Sequence, residues 1–188
     1  MRARLVPLLL LCAPIAAAQT PATSRPPNPT TPAAPSPPAF RGFAAGLTYR
    51  EFAQRARTLQ AASDKPMVCN TARRTAQLME CGVLIKDPSD GAQFYLAAHF
   101  TDGRAGLISF GDSGTTARVD ALQRELRARF GAPASTGQGT WEWRYAKGRQ
   151  MVRFNWRGRG ASRLMYVTLT DMDVMDRVGQ YVPKKPQD

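Results

Sequence analysis

Residues 94–110 read FYLAAHFTDGRAGLISF, and the expected fold follows from this stretch. Apolar and more polar residues alternate from Phe94 to Thr101, which is typical of a strand with one buried face. The pair Asp102-Gly103 then gives a two-residue turn signal ahead of a second apolar run, Leu107 to Phe110. The stretch therefore predicts an antiparallel hairpin, with the lone His99 on the solvent side rather than acting as a ligand.

The same pattern returns at residues 141–156, which read WEWRYAKGRQMVRFNW. Aromatic residues alternate with polar ones on both sides of a turn at residues 146–149, so we predict a second hairpin that is rich in aromatic side chains. A polar loop, residues 134–140, precedes it. Residues 157–160 (RGRG) are predicted to turn the chain into a last strand, Leu164 to Thr170.

Helix signals stand before each of these sheet segments. Thr48 followed by Glu51 is a capping box, which predicts a helix from Tyr49 to about Leu59. A second helix is expected to end at Gly131, with an apolar stripe on one side. That stripe consists of Val119, Leu122, Leu126 and Phe130. A short closing helix over residues 172–181 is predicted to turn Val174, Val178 and Tyr181 inward.

Cysteine positions predict one disulfide. Cys12 falls in the expected signal peptide, so Cys69 and Cys81 remain in the mature chain. These two residues are placed symmetrically about Thr75, and a hairpin bending near residues 71–75 brings them opposite each other. In an oxidising compartment such a pair is typical of a structural disulfide rather than of a metal or redox site.

These elements predict an α+β fold. Helices alternate with antiparallel meanders, and we expect a two-layer sandwich in which helices cover one face of the sheet and the other stays open. The two halves are similar in order, each an αβββ unit of a helix followed by a meander. Residues 39–181 are long enough for a single domain with one core.

Both ends of the chain are expected to lie outside that domain. Residues 1–18 combine two arginines, a short apolar run and an A-x-A site, which indicates a secretory signal peptide. Residues 19–38 are rich in proline and predict a disordered linker, and residues 182–188 predict a flexible tail. We therefore expect a periplasmic or secreted protein with no transmembrane segment after cleavage.

A resemblance to known proteins rests on several short stretches. FTDGR at residues 100–104 runs on to Ile108, and Leu126 and FGAP at residues 130–133 precede a Trp-rich strand. In this order they resemble the helix-plus-meander repeat of small exported bacterial proteins. The nearest groups are the small outer-membrane-assembly lipoproteins and the β-lactamase-inhibitor proteins. The resemblance implies non-enzymatic binding and assigns no functional residue. This chain lacks the lipidation cysteine of the first group.

Charge gives the main functional clue. Without Arg2 and Arg4 the chain has 24 basic and 14 acidic residues, so the mature protein carries about +10 and is attracted to anionic surfaces. Alternation puts Arg144 and Arg153 on the open face of the last strands, opposite to the aromatic side chains. Arg149, Arg157 and Arg159 are expected at the ends of the hairpin. The candidate contact residues for an anionic partner are therefore Arg144, Arg149, Arg153, Arg157 and Arg159.

Signals for catalysis or cofactors are weak. Asp171, Asp173 and Asp176 lack the spacing of a calcium loop, and Ser113 lacks a nucleophile-elbow context. His99 is the only histidine, which disfavours a zinc site. We therefore expect no catalytic residue, metal or cofactor.

The sequence favours a non-enzymatic binding or accessory module of the bacterial cell envelope whose ligand it does not identify. One alternative is a binder of anionic envelope polymers or lipids that uses the arginine-rich hairpin. A second alternative is a small enzyme with a dispersed carboxylate site. A cell-envelope protein or an anionic polymer is the expected partner, and nucleic acid is disfavoured for an exported protein.

Overall fold

The structure is a computed structural model that describes residues 36–60, 64–73, 75–86, 91 and 93–181. The predicted signal peptide, nearly all of the predicted linker and the predicted tail at residues 182–188 lie outside the described residues. The first strand begins at Ala39, where the domain was predicted to start.

The described residues contain ten strands and three α-helices. The helices are α1 (Tyr49–Gln60), α2 (Thr116–Phe130) and α3 (Met172–Met175). The strands are β1 (Ala39–Phe40), β2 (Phe43–Ala44), β3 (Val68–Ala72), β4 (Thr75–Lys86), β5 (Gln93–Thr101), β6 (Arg104–Gly114), β7 (Ser135–Gly137), β8 (Thr140–Tyr145), β9 (Gln150–Arg159) and β10 (Ser162–Asp171).

Strands β3 to β10 form one antiparallel sheet of eight strands within the described chain. The strand order is β3-β4-β5-β6-β10-β9-β8-β7, so two meanders of four strands meet where β6 pairs with β10. The mixed helix and sheet content agrees with the predicted α+β class. Each half has four strands rather than the three of the predicted αβββ units. In the second half the additional strand is β7, which lies in the polar loop and pairs with β8 through residues 135–137. The three residues of β7 are polar or small and all are exposed, so the sequence contains no apolar alternation from which this strand could be predicted.

Helix α1 begins with the predicted capping box. The backbone N–H of Thr48 donates to the Glu51 carboxylate at 2.8 Å, and the backbone N–H of Glu51 donates to Thr48 Oγ1 at 3.3 Å. Two N–H groups that have no partner within a helix are thereby satisfied. The helix buries Phe52 and Ala56 completely, and Phe52 packs edge-on against Phe100 of β5.

Helix α2 also follows its sequence pattern. Val119, Leu122 and Leu126 are buried, while Phe130 is partly exposed. The helix ends at Gly131, whose φ of 77° is easily adopted by glycine. Trp143 Nε1 donates to the Gly131 carbonyl at 3.0 Å, so strand β8 is fastened to the end of α2.

All three predicted hairpins are present, including the aromatic one, in which β8 pairs with β9. β5 and β6 are joined by Asp102 and Gly103, both at positive φ (51° and 73°), as a tight two-residue turn requires. β3 and β4 pair so that Cys69 lies directly opposite Cys81. The two sulfur atoms are 2.08 Å apart, which is a disulfide distance.

The hydrophobic core unites one set of alternating strand residues with the buried residues of α1 and α2. On β5 and β6 this set includes Leu96, Phe100, Ile108 and Phe110, and on the last strands it includes Phe154. The intervening residues of the same strands point to the other side of the sheet. We call this other side the outer face.

The C-terminal segment differs in part from its prediction. The predicted closing helix is divided into α3 and a 3-10 helix, Asp176–Gln180. Asp171 caps α3 by accepting from the backbone N–H groups of Asp173 and Val174. Val174 is buried as predicted. Val178 and Tyr181 are only partly buried. The hydroxyl of Tyr181 donates to Asp102 at 2.6 Å, so this side chain does not enter the core.

No helix in the described part of the chain has the length and hydrophobicity needed to cross a membrane.

Candidate functional site

Two tyrosines dominate the outer face of the sheet. One row of directly paired residues runs across five strands, from Leu84 through Tyr95, Gly111 and Tyr166 to Asn155. Gly111 lies between the two tyrosines and adds no side chain to separate them. Tyr95 is 56% exposed, although large aromatic residues usually lie in the core. The row therefore presents aromatic surface to solvent.

Gly82 lets the Tyr95 ring lie close to the sheet, and the Tyr166 ring lies within contact distance of the Gly111 position. A methyl group at Gly82 would collide with the Tyr95 hydroxyl and would lie 2.8 Å from its Cζ. A methyl group at Gly111 would lie 3.4 Å from Cε1 of Tyr166. Each ring thus lies against the backbone of a neighbouring strand at a glycine position.

Two shallow grooves adjoin Tyr166. The first, of about 550 Å³, is lined by Tyr95, Gln93, Gly111, Ser113, Leu164 and Tyr166 among others. The second, of about 400 Å³, is lined by Tyr166, Asn155, Thr140 and Arg157 among others. Tyr166 is common to both, so the two grooves adjoin at this residue along a path from β5 to β8. Neutral amide and hydroxyl groups line much of both grooves. The first groove also includes Asp112, whose carboxylate is paired with Arg118 at 3.1 Å, and Arg157 adds a positive charge to the second.

Arg157 and Arg159 are located differently from their prediction. Both were expected in the turn before the last strand, but β9 continues through Arg159, and the turn consists of Gly160 and Ala161. Gly158 permits this extension, because its φ of 97° is easily adopted only by glycine and because a side chain there would collide with the Ser162 carbonyl oxygen. Arg157 pairs with Leu164 on the outer face, and both arginines are exposed.

Arg144 and Arg153 share the outer face, as alternation predicted, but both are bound to Glu142. Arg144 Nε lies 2.5 Å from Glu142 Oε1, and an Arg153 Nη2 lies 2.7 Å from Oε2. The Glu142 side chain is only 6% exposed. The two arginines hold the pKa of Glu142 below its ordinary value, Arg153 having the larger effect. The single Glu142 carboxylate neutralises one of the two positive charges and holds both guanidinium groups, so Arg144 and Arg153 are weaker candidates for an external anion than Arg157.

Arg149 is also engaged within the protein. Its guanidinium lies 2.6 Å from Asp173 and 2.7 Å from Asp176, which raises the pKa of Arg149. The backbone N–H of Met172 donates to the Arg149 carbonyl at 2.8 Å. Arg149 therefore fastens the C-terminal segment to the β8–β9 turn. Three of the five predicted contact residues, Arg144, Arg149 and Arg153, bind carboxylates of this protein. Among the described residues, no carboxylate is paired with Arg157 or Arg159.

The tryptophans of the last strands do not join the arginines. Trp141 and Trp143 lie on the core side, where Arg127 of α2 stacks 4.9 Å above Trp141. The arginine-rich hairpin is therefore aromatic on one face and charged on the other. The aromatic residue that shares a groove with Arg157 is instead Tyr166 of β10. Tyr95 lies farther away, on β5 beyond β6.

Neither tyrosine was predicted as a site residue. The available signal was phase: Tyr95 stands between the apolar residues Phe94 and Leu96, and Tyr166 between Met165 and Val167. In a half-buried strand, that phase puts a large aromatic residue on the solvent side. Their proximity could not be inferred, because it depends on β6 pairing with both β5 and β10.

A separate cavity, of about 430 Å³, lies at the other end of the outer face. It is bordered by Leu78, His99 and Leu107 of the sheet and by Met175 and Val178 of the C-terminal segment. The side chain of His99 is half-exposed, as predicted, and lies 3.8 Å from Glu80. Within the described residues, no group of three or more His, Cys, Asp or Glu is arranged to hold a metal ion.

Glu142 gives a prediction for stability. We expect Glu142→Gln to lower the free energy of unfolding at pH 7 by about 2 kcal/mol, because two charge-assisted hydrogen bonds are weakened in a buried position. The folded pKa is depressed, so the stabilisation is complete above the ordinary value near 4.5 and is lost as pH falls through the folded pKa. Urea unfolding at pH 7 and pH 3 measures both effects.

The matched control for this prediction is Glu80→Gln, which removes a carboxylate that is 61% exposed. The parent and the control should lose more stability between pH 7 and pH 3 than Glu142→Gln does. Equal stability and equal pH dependence of all three proteins would contradict the assignment. The same geometry implies that reversing the charge of Arg144 or Arg153 destabilises the fold, so neither residue is suited to a binding test.

No protein-family model, curated protein or solved structure matches this chain.

Proposed function

We propose that this protein is an exported, non-enzymatic binding module of the bacterial cell envelope, and that an anionic partner binds to the outer face of its sheet. The observation that carries the proposal is the meeting of Arg157 and Tyr166 in one exposed groove. Tyrosine and arginine are enriched where proteins bind partners, since each combines a large contact area with directed polar groups.

Charge supports an anionic partner. The whole chain has a formal net charge of +12, and the buried Glu142 already neutralises part of the charge of Arg144 and Arg153. Arg157 and Arg159 remain exposed at the end of β9. A positive surface of this kind accelerates association with acidic partners and favours them over basic ones.

We also propose the two-layer arrangement with two similar halves that was expected from the sequence. In a two-layer sandwich, α1 and α2 would cover the core side and leave the outer face for a partner. Each half would be a helix followed by a meander, as in the small exported proteins that the chain resembles. The disulfide distance between Cys69 and Cys81 is compatible with a periplasmic or secreted location.

Retention of the mature protein on cell-envelope material tests this function. At low salt we expect binding to an envelope extract, including lipopolysaccharide or peptidoglycan, and elution as salt rises toward 1 M, where charges are screened within about 3 Å. A pull-down from the same extract then identifies what was bound. Absence of retention at low salt, or retention that salt does not change, would contradict the proposal.

A further inference from the structure

We propose that the two grooves beside Tyr166 bind an acidic polysaccharide, with a pyranose ring stacked on the tyrosine. This inference rests on the function proposed above and names the class of ligand. It starts from the position of Tyr166, which lines both grooves and lies against the glycine position of the neighbouring strand.

The tyrosine rings suit a sugar because both are accessible from the solvent side: Tyr95 is 56% exposed and Tyr166 lines both grooves. Tyr95 lies against Gly82 and Tyr166 lies beside Gly111, so each ring is supported by the backbone of a neighbouring strand. An aromatic face carries partial negative charge and attracts the polarised C–H groups that line one side of a pyranose. A ring already held against the sheet loses little freedom when such a ligand binds.

The polar groups of the grooves suit the hydroxyl groups of a sugar. Gln93 and Ser113 line the groove on one side of Tyr166, and Thr140 and Asn155 line the groove on the other. These four side chains are uncharged and each can donate and accept hydrogen bonds. The Thr140 hydroxyl donates to Asn155 Oδ1 at 2.9 Å, which orients the Asn155 amide.

Arg157 selects an acidic sugar over a neutral one. It lines the same groove as Tyr166, and its planar guanidinium is suited to paired hydrogen bonds with a carboxylate. Tyr95 on β5 and Arg157 on β9 are separated by three strand spacings, about 14 Å. That span exceeds one pyranose ring, so the geometry points to consecutive residues of a polymer rather than to a monosaccharide.

A nucleic-acid strand would also stack on tyrosine, but it carries a phosphate at every nucleotide. Proteins that bind such strands follow the backbone with a groove of basic residues. Here Arg153 is held by the buried Glu142, and neutral side chains line most of the path. These observations favour the sugar.

The test uses polygalacturonate as the probe and isothermal titration calorimetry of the mature protein at low salt. We expect binding by the parent, loss of at least about tenfold in affinity for Tyr166→Ala, and a change of less than about twofold for Tyr166→Phe, which keeps the ring. Arg157→Gln should weaken binding of polygalacturonate and leave the affinity for its methyl-esterified form unchanged. Thermal unfolding of each variant checks that the fold is retained.

Polyglutamate and single-stranded DNA separate the alternatives. Polygalacturonate binding that Tyr166→Ala does not weaken overturns the inference, as does tighter binding of single-stranded DNA that depends on Tyr166. If polyglutamate binds as well as polygalacturonate and only Arg157→Gln weakens it, sugar stacking is wrong while the proposed function stands. Lack of binding to every anionic polymer, together with no retention on envelope material, overturns both.

Discussion

Alanine in place of Phe110 should lower the free energy of unfolding by about 3–5 kcal/mol, enough to unfold a marginally stable domain. Phe110 is 1% exposed, and its ring packs edge-on against Phe40 at 5.1 Å and Phe43 at 5.8 Å. The substitution removes apolar contact area and leaves a cavity that the surrounding rings cannot fill without moving. Urea unfolding followed by circular dichroism measures the loss.

Tyr95→Ala is the matched control for this experiment. It also removes an aromatic ring from the β5–β6 hairpin, but from the outer face, where the side chain is more than half exposed. We expect a loss of about 0.5 kcal/mol, as is usual at the surface. Equal losses in the two variants would mean that the two faces of the sheet have been assigned wrongly, and the proposed site would lose its basis.

Reduction of the Cys69–Cys81 bond should have the next largest effect. The cysteines are 12 residues apart in sequence, and opening such a loop costs about 3 kcal/mol through the added freedom of the unfolded chain. For a domain of this size the loss corresponds to a decrease of roughly 6–12 °C in melting temperature. Calorimetry with and without reductant measures the decrease.

A double variant in which both cysteines are replaced by alanine serves as control. Its melting temperature should match that of the reduced parent and should not respond to reductant. Alkylation of both thiols in the native, unreduced protein would contradict the bond. A melting temperature that is the same with and without reductant would show that the bond contributes no stability.

The local elements of this fold could be predicted from short sequence signals. Thr48 with Glu51 predicted the start of α1, and Asp102 with Gly103 predicted the β5–β6 turn, because each signal acts between neighbouring residues. Alternation also predicted that Arg144 and Arg153 share a face. Strand β7 was missed, since three exposed polar residues have no periodicity to detect.

The candidate site was less predictable, because its residues meet only through the order of the strands. Tyr95 and Tyr166 lie 71 positions apart and are brought together by the pairing of β6 with β10. Arg149 was predicted as a contact residue, but it binds two carboxylates of the C-terminal segment that no local pattern connects to it. Sequence phase identifies the face of a residue, whereas its neighbours on that face depend on the tertiary fold.

Two charge-matched double variants test whether an anionic partner binds to the outer face. Arg157→Glu with Arg159→Glu changes the outer end of β9, and Arg50→Glu with Arg124→Glu makes the same change of charge on exposed positions of α1 and α2. Exposed charges contribute little to folding, so both proteins should remain folded. We expect retention on envelope material at low salt to weaken at least about tenfold for the β9 variant and to remain close to that of the parent for the helix variant. Equal weakening of both variants, or none in the β9 variant, would contradict binding at this face.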